Sequence, residues 1–373
     1  MANTLTAIIP SVIAAMQSVS RSSGALFNAV NKDIDAEAVG LGQAITLPIS
    51  ATASTYTVTP GSTPPALVDS VVTSNTLTLD QHKGSRFSLT EEDLAKIANN
   101  PDFVNRQIAQ SIKAVVNEAS SFLYGKMSAG ASLAFGAAGT TPFADSPDLL
   151  MDIWADLMDE EAPNEDLKAT LSTGAWASAG KLTEFQKLNE APEGVSFARN
   201  SIGMLANFGV SFDQKIASVT KGTGASYVAD GGASIGDTVI TLKTGTGTVL
   251  AGDVVVFAGD SNQYVVKTGA VAAGDIVLAE GLKIALDNGD AMTIQASSVR
   301  NICNHMDAVR FGFRPSKASG LDSAMDSTVV VDPVSGLALR LAAYGGYHAG
   351  SYEVSAVYGA TVDRPEWVKI LLG

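Results

Sequence analysis

The chain has 373 residues, of which 46% are hydrophobic and only 17% charged, with a formal net charge of -14. That length exceeds one ordinary core and suits roughly two or three domains. The acidic balance excludes a protein that grips nucleic acid through clustered Lys and Arg, and the low charged fraction fits a large polar but uncharged surface or much surface buried between subunits.

The first segment, MANTLTAIIPSVIAAMQSVSR, carries no cation before Arg21, and Pro10 interrupts its apolar stretch. No signal peptide is expected. No run of about eighteen apolar residues predicts a transmembrane helix, so a soluble intracellular product is expected. Leu5, Ile8, Ile9, Val12, Ile13 and Met16 line one face of a short helix broken near Pro10, the pattern of an arm that packs on something else.

Residues 41–88 are rich in Thr, Ser, Val and Pro, and alternate in AITLPIS, STYTVTP and SNTLTLD. They predict a long β-hairpin with a tip at Pro60, Pro64 and Pro65. Such a hairpin has little core of its own and needs a neighbour for stability. Tyr56, Pro64, Pro65, Lys83 and Arg86 are the candidate subunit contacts on it, the two cations being able to pair with acidic residues next door or simply to be solvated.

LTEEDLAKIANNPDF then starts helices. Thr90 and Asp93 resemble a capping box, with Leu89 and Leu94 as the staple. Asn100 and Pro101 mark a second start, after which Val104, Ile108, Ile112, Val115, Ala119 and Phe122 form one apolar stripe. The expected long helix ends near Gly125 to Gly130. Another helix follows Ser146 and Pro147, with Leu149, Leu150, Ile153, Trp154, Leu157 and Met158 on one face. LKATLST is strand-like, and residues 174–190 look helical.

Residues 217–297 contain thirteen glycines and no proline. Gly-Asp recurs at 236–237, 252–253, 259–260, 274–275 and 289–290, mostly before β-branched runs, which predicts turns feeding the short strands of a small barrel or sandwich. Host chain lies on both sides, so this module is an insertion. Beyond it, STVVVDPVSGLALRLAAY predicts a hairpin around Asp332-Pro333, and SYEVSAVYGATVDRPEWVKILL a closing strand or pair of strands.

The chain is poor in catalytic signals. GASIG around Ser234 matches G-x-S-x-G, but DTVITL follows it, a strand pattern where a nucleophile elbow requires a helix. The Gly222/Gly224 and Gly245/Gly247 pairs complete no dinucleotide fingerprint, and no phosphate-loop motif occurs. His82, His305 and His348 lie in separate segments without a second ligand at metal-binding spacing. Cys303 reads as a small buried apolar residue. From Asp145 through Asp148, Asp152, Asp156, Asp159, Glu160, Glu161, Glu165 and Asp166 no cation intervenes before Lys168. This is the solvated face of an amphipathic helix or a site for a divalent ion or basic partner. A charge run of this kind is usually a solvated face; Asp159, Glu160 and Glu161 oppose the helix dipole at ~0.3–1 kcal/mol per charge, which keeps a basic partner as the minority reading.

The order of elements resembles the major capsid (coat) proteins of tailed double-stranded DNA phages, the Hong Kong phage type of fold. More specifically it is similar to the P-twenty-two-type coat proteins, which carry an inserted β-barrel domain. NHMDAVRFGFRP, Asn304 to Pro315, resembles that family's His-x-Asp-Ala segment, with Asn304 where an aromatic usually stands. YGATVDRPEWVKIL, Tyr358 to Leu371, resembles its C-terminal Tyr-Gly followed by Arg-Pro-Glu. The resemblance implies an α+β fold with an N-terminal arm (1–40), an extended loop (41–88), a peripheral domain with a long spine helix (89–130, the helix at 101–128), an axial domain (131–216 and 298–340), the inserted barrel (217–297), and C-terminal strands returning to the peripheral domain (341–373).

It also implies function. The expected product is a structural, non-enzymatic protein of the virion that self-assembles through hexamers and pentamers into an icosahedral shell around DNA, without cofactor, metal or membrane. Scaffold and portal proteins are the implied partners, and assembly in the host cytoplasm is expected; related loops that crosslink use a Lys, but no motif here identifies its partner. The inserted barrel is expected to act as a local folding nucleus and brace. A tail-tube or surface-array protein is the alternative, and a serine hydrolase through Ser234 a more distant one.

Overall fold

The structure, a computed structural model, describes residues 24–34, 38–50, 57–58, 60, 72–92, 102–144, 146–182, 203–317, 324–331 and 336–373. The arm up to residue 23, the hairpin tip with Tyr56, Pro64 and Pro65, the capping residues Asp93 and Leu94, and Asp145 lie outside the described residues.

The expected long helix runs over Asp102–Gly130. Ile108, Ile112, Val115, Ala119, Leu123 and Met127 are buried, with Val104 and Phe122 partly so. Steps of three and four put them on one face. That face packs on a six-stranded sheet through Phe311, Phe313, Val354, Ala356 and Tyr358. Leu26 and Phe27 complete this core, Phe27 against Phe311 with ring centroids 5.1 Å apart.

The spine of the sheet is the strand Ala349–Val362. It pairs antiparallel on one flank with Gln81–Thr90. On the other it pairs with Ala338–Gly346 and then Val309–Arg314. Ala324–Val331 adds to Ala338–Gly346 as an edge, and Asn31–Ile34 runs parallel to Val309–Arg314. Pairing therefore differs from the expectation in two places. The hairpin consists of Ala44–Ser50 and Val72–Thr78, while residues 81–90, with Lys83 and Arg86, belong to the sheet. A boundary at residue 340 also falls inside a strand, because 324–346 folds together with 349–362. The first pairing is non-local, so no local pattern announces it; the second is two successive hairpins, 324–331 on 338–346 and 338–346 on 349–362.

A second sheet forms the rest of the body, in the order Leu133–Phe135, Val368–Leu372, Ser298–His305, Leu167–Leu171, Phe208–Phe212. The closing segment is thus two strands in two different sheets. Helices Asp148–Asp159 and Thr173–Ala179 cover this sheet, with Leu150, Ile153, Leu157 and Trp176 in a common core with Cys303. The Ser172 hydroxyl accepts from Ala175 N at 3.2 Å and caps the second helix, which runs over Thr173–Ala179; residues 183–190 of the expected helical stretch lie outside the described residues.

The glycine-rich stretch closes on itself. In order, the strands are Val254–Phe257, Ala291–Ile294, Tyr227–Ala229, Val239–Lys243, Gly274–Leu278 and Gln263–Thr268, and the last pairs back with the first. Closure leaves the barrel no free sheet edge. Its own core holds Tyr227, Leu242, Val255, Phe257, Tyr264, Val266, Ile276 and Met292. Gly269 is obligatory where it sits: a Cβ there would strike the Val249 carbonyl. The chain enters and leaves side by side, Ser218–Val219 pairing with Ser298–Val299, the condition an insertion needs.

Candidate assembly surfaces

The hairpin projects from a built seat. Leu77 and Leu79 are fully buried at its base, where Gly312 and Gly359 leave room for them. A Cβ on Gly359 would collide with the Thr78 carbonyl. Beside them Asn75 Nδ2 donates to Asp363 Oδ1 at 2.7 Å, and Arg310 Nε pairs with Asp363 Oδ2 at 2.6 Å. Burial raises the carboxyl pKa of Asp363, opposed by the charge of Arg310 and the hydrogen bond from Asn75. One aspartate thus ties the hairpin to the body, while among the described residues the strands Ala44–Ser50 and Val72–Thr78 pair only with each other.

Of the sequence-predicted contact residues, two can be placed. Lys83 Nζ lies 3.8 Å from Glu118 on the long helix, both side chains about half exposed. Arg86 is bound within its own chain: Nη2 donates to Ser351 Oγ at 2.7 Å, and the guanidinium stacks 4.8 Å over the Tyr344 ring. They are not brought together with a common acidic partner.

The acidic stretch does have basic partners, and they are in the same chain. Asp156 places Oδ1 3.1 Å from Lys283 and Oδ2 2.6 Å from Lys369. Glu280 places Oε1 3.0 Å from Lys283 and Oε2 3.1 Å from Lys369. The result is a closed ring of alternating charge, to which Glu160 adds Oε1 at 2.7 Å from Lys283. Lys369 is 0% exposed. A buried ammonium of this kind persists only when paired. Burial disfavours the charged form of Glu280, but Lys369, the Ser132 hydroxyl and Lys283 outweigh it and hold the carboxyl below its ordinary pKa.

The ring joins three remote segments: the helix Asp148–Asp159, the barrel loop after Gly274–Leu278, and the C-terminal strand. Glu160, just past the helix C-terminus, has in Lys283 a cation that offsets its unfavourable place on the dipole, the minority reading of the sequence. Sequence reasoning found the acids but missed Glu280, Lys283, Lys369 and Asp363. The four-residue spacing of Asp156 and Glu160 was the one local signal. Two further ties fix the barrel: Tyr124 on the long helix donates to the Ala217 carbonyl at 2.7 Å, and buried Arg300 donates to the Gly252 carbonyl.

The remaining chemical candidates take structural places. Ser234 sits in a turn whose backbone N–H donates to Asp237 Oδ2 at 2.7 Å, and the strand Val239–Lys243 follows, so the elbow geometry is absent. Burial pushes the Cys303 thiol up to about 12. His305 caps a short turn by accepting from Asp307 N at 3.2 Å, and His348 Nδ1 lies 2.6 Å from Glu91. Among the described residues no group of three or more His, Cys, Asp or Glu is placed to hold a metal ion, and no helix is long and apolar enough to cross a membrane.

This arrangement of helix, two sheets and hairpin recurs in solved structures. A chain in the capsid structure of the Cyanophage P-SCSP1u superposes with a TM-score of 0.51 at 12% identity, over 94% of this chain and 88% of that one. The chain shares the fold of that capsid chain. A protein of Mycobacterium phage Che8 aligns over 93% of this chain and 90% of its own, with a TM-score of 0.49 and 12% identity. The virus-like particle from Pyrococcus furiosus aligns over 98% of both chains, with a TM-score of 0.46 and 9% identity. No family model matches the chain, and no curated protein matches it by sequence.

Proposed function

We propose that this chain is the major capsid protein of a tailed double-stranded DNA phage, a structural subunit that self-assembles into a closed icosahedral shell around the genome. The observation that carries this reading is the fold shared with the Cyanophage P-SCSP1u capsid chain over 94% of the present one. The hairpin supports it. An extended pair of strands seated at its base by Leu77, Leu79 and Asp363, and among the described residues paired only with itself, suits a reach to a neighbouring copy.

Contacts between different patches on successive subunits close into rings by rotation, which yields hexamers and pentamers. Scaffold and portal proteins are the partners this reading brings, and the host cytoplasm is the place of assembly. The net charge of -14 suits a container that must not hold its DNA tightly. No catalytic step belongs to the mechanism.

Negative-stain electron microscopy of the purified chain, alone and with a candidate scaffold from the same genome, tests the proposal. Uniform closed polyhedra are expected. Tubes or sheets would move the assignment to a tail-tube or surface-array protein, and monomers under every condition would defeat it.

A further inference from the structure

Where the end of the long helix, the barrel and the six-stranded sheet converge there is a crevice of about 350 Å³. Its walls are small and apolar, with Ala129, Ala279, Val362 and Pro365 among them, and Lys126 and Lys267 stand on it. Both lysines are exposed, and neither is paired with a carboxylate among the described residues. Lys126 lies 5.4 Å over the Phe122 ring, which holds its ammonium at the mouth without neutralising it. Two unneutralised cations around an apolar hollow are out of character for a chain of net charge -14.

The complementary shape is on the same molecule. The helix Asp148–Asp159 turns Asp156 toward the ion ring, but Asp148, Asp152 and Asp159 outward. These three share one exposed face at helical spacing, and none is paired with a cation among the described residues. Asp148 only accepts from the Ser146 hydroxyl, at 2.8 Å. Between the first two stands Met151, 57% exposed, an unbranched apolar side chain with carboxylates on either side.

We propose that the crevice is a socket for this helix face of a second copy, with Met151 entering the apolar hollow and Asp148 and Asp152 meeting Lys126 and Lys267. Socket and knob are different surfaces of one chain, so the contact is heterologous and propagates from copy to copy, as ring closure requires. Strongly acidic subunits repel overall, and a local patch of opposite sign is what steers two of them into one register. The inference rests on the shell-forming reading.

The test compares shell yield, by sedimentation and electron microscopy, for the wild-type chain, Lys126→Glu/Lys267→Glu, Asp148→Lys/Asp152→Lys, and the fourfold exchange. Each double reversal is expected to lower the yield by about tenfold or more, and the exchange to restore it. A double reversal that assembles like wild type overturns the socket and leaves the shell reading standing. A fourfold exchange that stays as poor as the doubles also overturns it, since a misfolded variant, or a socket serving an acidic segment of some other protein, is not rescued. Wild-type chain that never assembles defeats both readings. A second measurement bypasses charge altogether. With Met151→Cys and Ala279→Cys in one chain, oxidised shells are expected to give a ladder of disulfide-linked multimers. The natural Cys303 is fully buried and silent. Assembled shells that run as single chains would count against the contact.

Discussion

The barrel and the hairpin are both built from short strands rich in small and β-branched residues, but they reach stability by different routes. The barrel pairs its last strand with its first and fills itself with Tyr227, Phe257, Tyr264 and their neighbours. It is then fastened to the body by the ion ring, by Arg300 and Tyr124, and by Leu133, which the body contributes to the barrel core. The hairpin has two strands, a seat of two leucines and one aspartate, and no closed core. One region is complete within its chain; in the proposed shell the other would be completed by a neighbouring copy. Such a shell would need both, because a subunit must stay folded before it finds its neighbours.

The strongest way to break the comparison is to remove the complete region. Deleting 217–297 and bridging Ile216 to Ser298 with a short flexible linker is geometrically feasible, since Ser218–Val219, just past the first cut, pairs with Ser298–Val299. It strips Lys369 of Glu280, takes Lys283 from Asp156 and Glu160, and uncovers Leu133. Little soluble monomer is expected in a solubility assay. A soluble, assembly-competent deletion would show that the barrel is an ornament.

The ion ring offers a finer cut. Lys369→Met takes the buried cation from Asp156 and Glu280 and leaves only Lys283 between them, and breaking a buried pair from one side costs about 3–5 kcal/mol. Chemical denaturation of the monomer should show that loss; a change below about 1 kcal/mol would mean that water already reaches the ring. The pH dependence follows from Glu280. Its carboxyl is held below the ordinary value in the folded state. Its contribution is therefore present above the unfolded-state pKa and is lost as pH falls through the lowered folded one. Acid should weaken the attachment of the barrel through this group, and Glu280→Gln should flatten that part of the stability profile. An unaltered acid limb in Glu280→Gln would place the effect elsewhere.

Much of this architecture is legible in the sequence because its signals are local. The stripe from Val104 to Phe122, the recurrent Gly-Asp turns and the hairpin around Asp332-Pro333 each follow from a few neighbouring residues. What was illegible is pairing at a distance. Nothing around Gln81–Thr90 says that it lies along Ala349–Val362 rather than continuing the hairpin. Nothing around Val368–Leu372 says that it leaves one sheet for the other. The ion ring was half visible for the same reason. Asp156 and Glu160 stand one helical turn apart, but their cations lie more than a hundred residues downstream.

The hairpin seat should be softer than the barrel joint. Asp363→Ala leaves Arg310 and Asn75 without their carboxylate, a loss of about 1–3 kcal/mol that falls locally. Hydrogen exchange at Thr76, Leu77 and Thr78 should speed up, while the barrel amides are unchanged. Equal acceleration in both regions would show that they open as one unit.

The smallest effect in the monomer separates the two kinds of region most sharply. Lys83 and Glu118 are 3.8 Å apart and about half exposed, so solvent screens the pair and its worth is about 0–1 kcal/mol. Lys83→Ala should therefore leave monomer stability almost unchanged, with the lost stability confined to that range. If a neighbouring copy borrows this lysine, the same substitution will lower the salt and temperature resistance of assembled shells by much more than it lowers monomer stability. An equal, small effect in both would assign Lys83 to its own chain and leave the hairpin's reach to the residues beyond the seat. The comparison turns on that difference, because a residue that matters only after assembly belongs to the incomplete region, whichever sheet carries it.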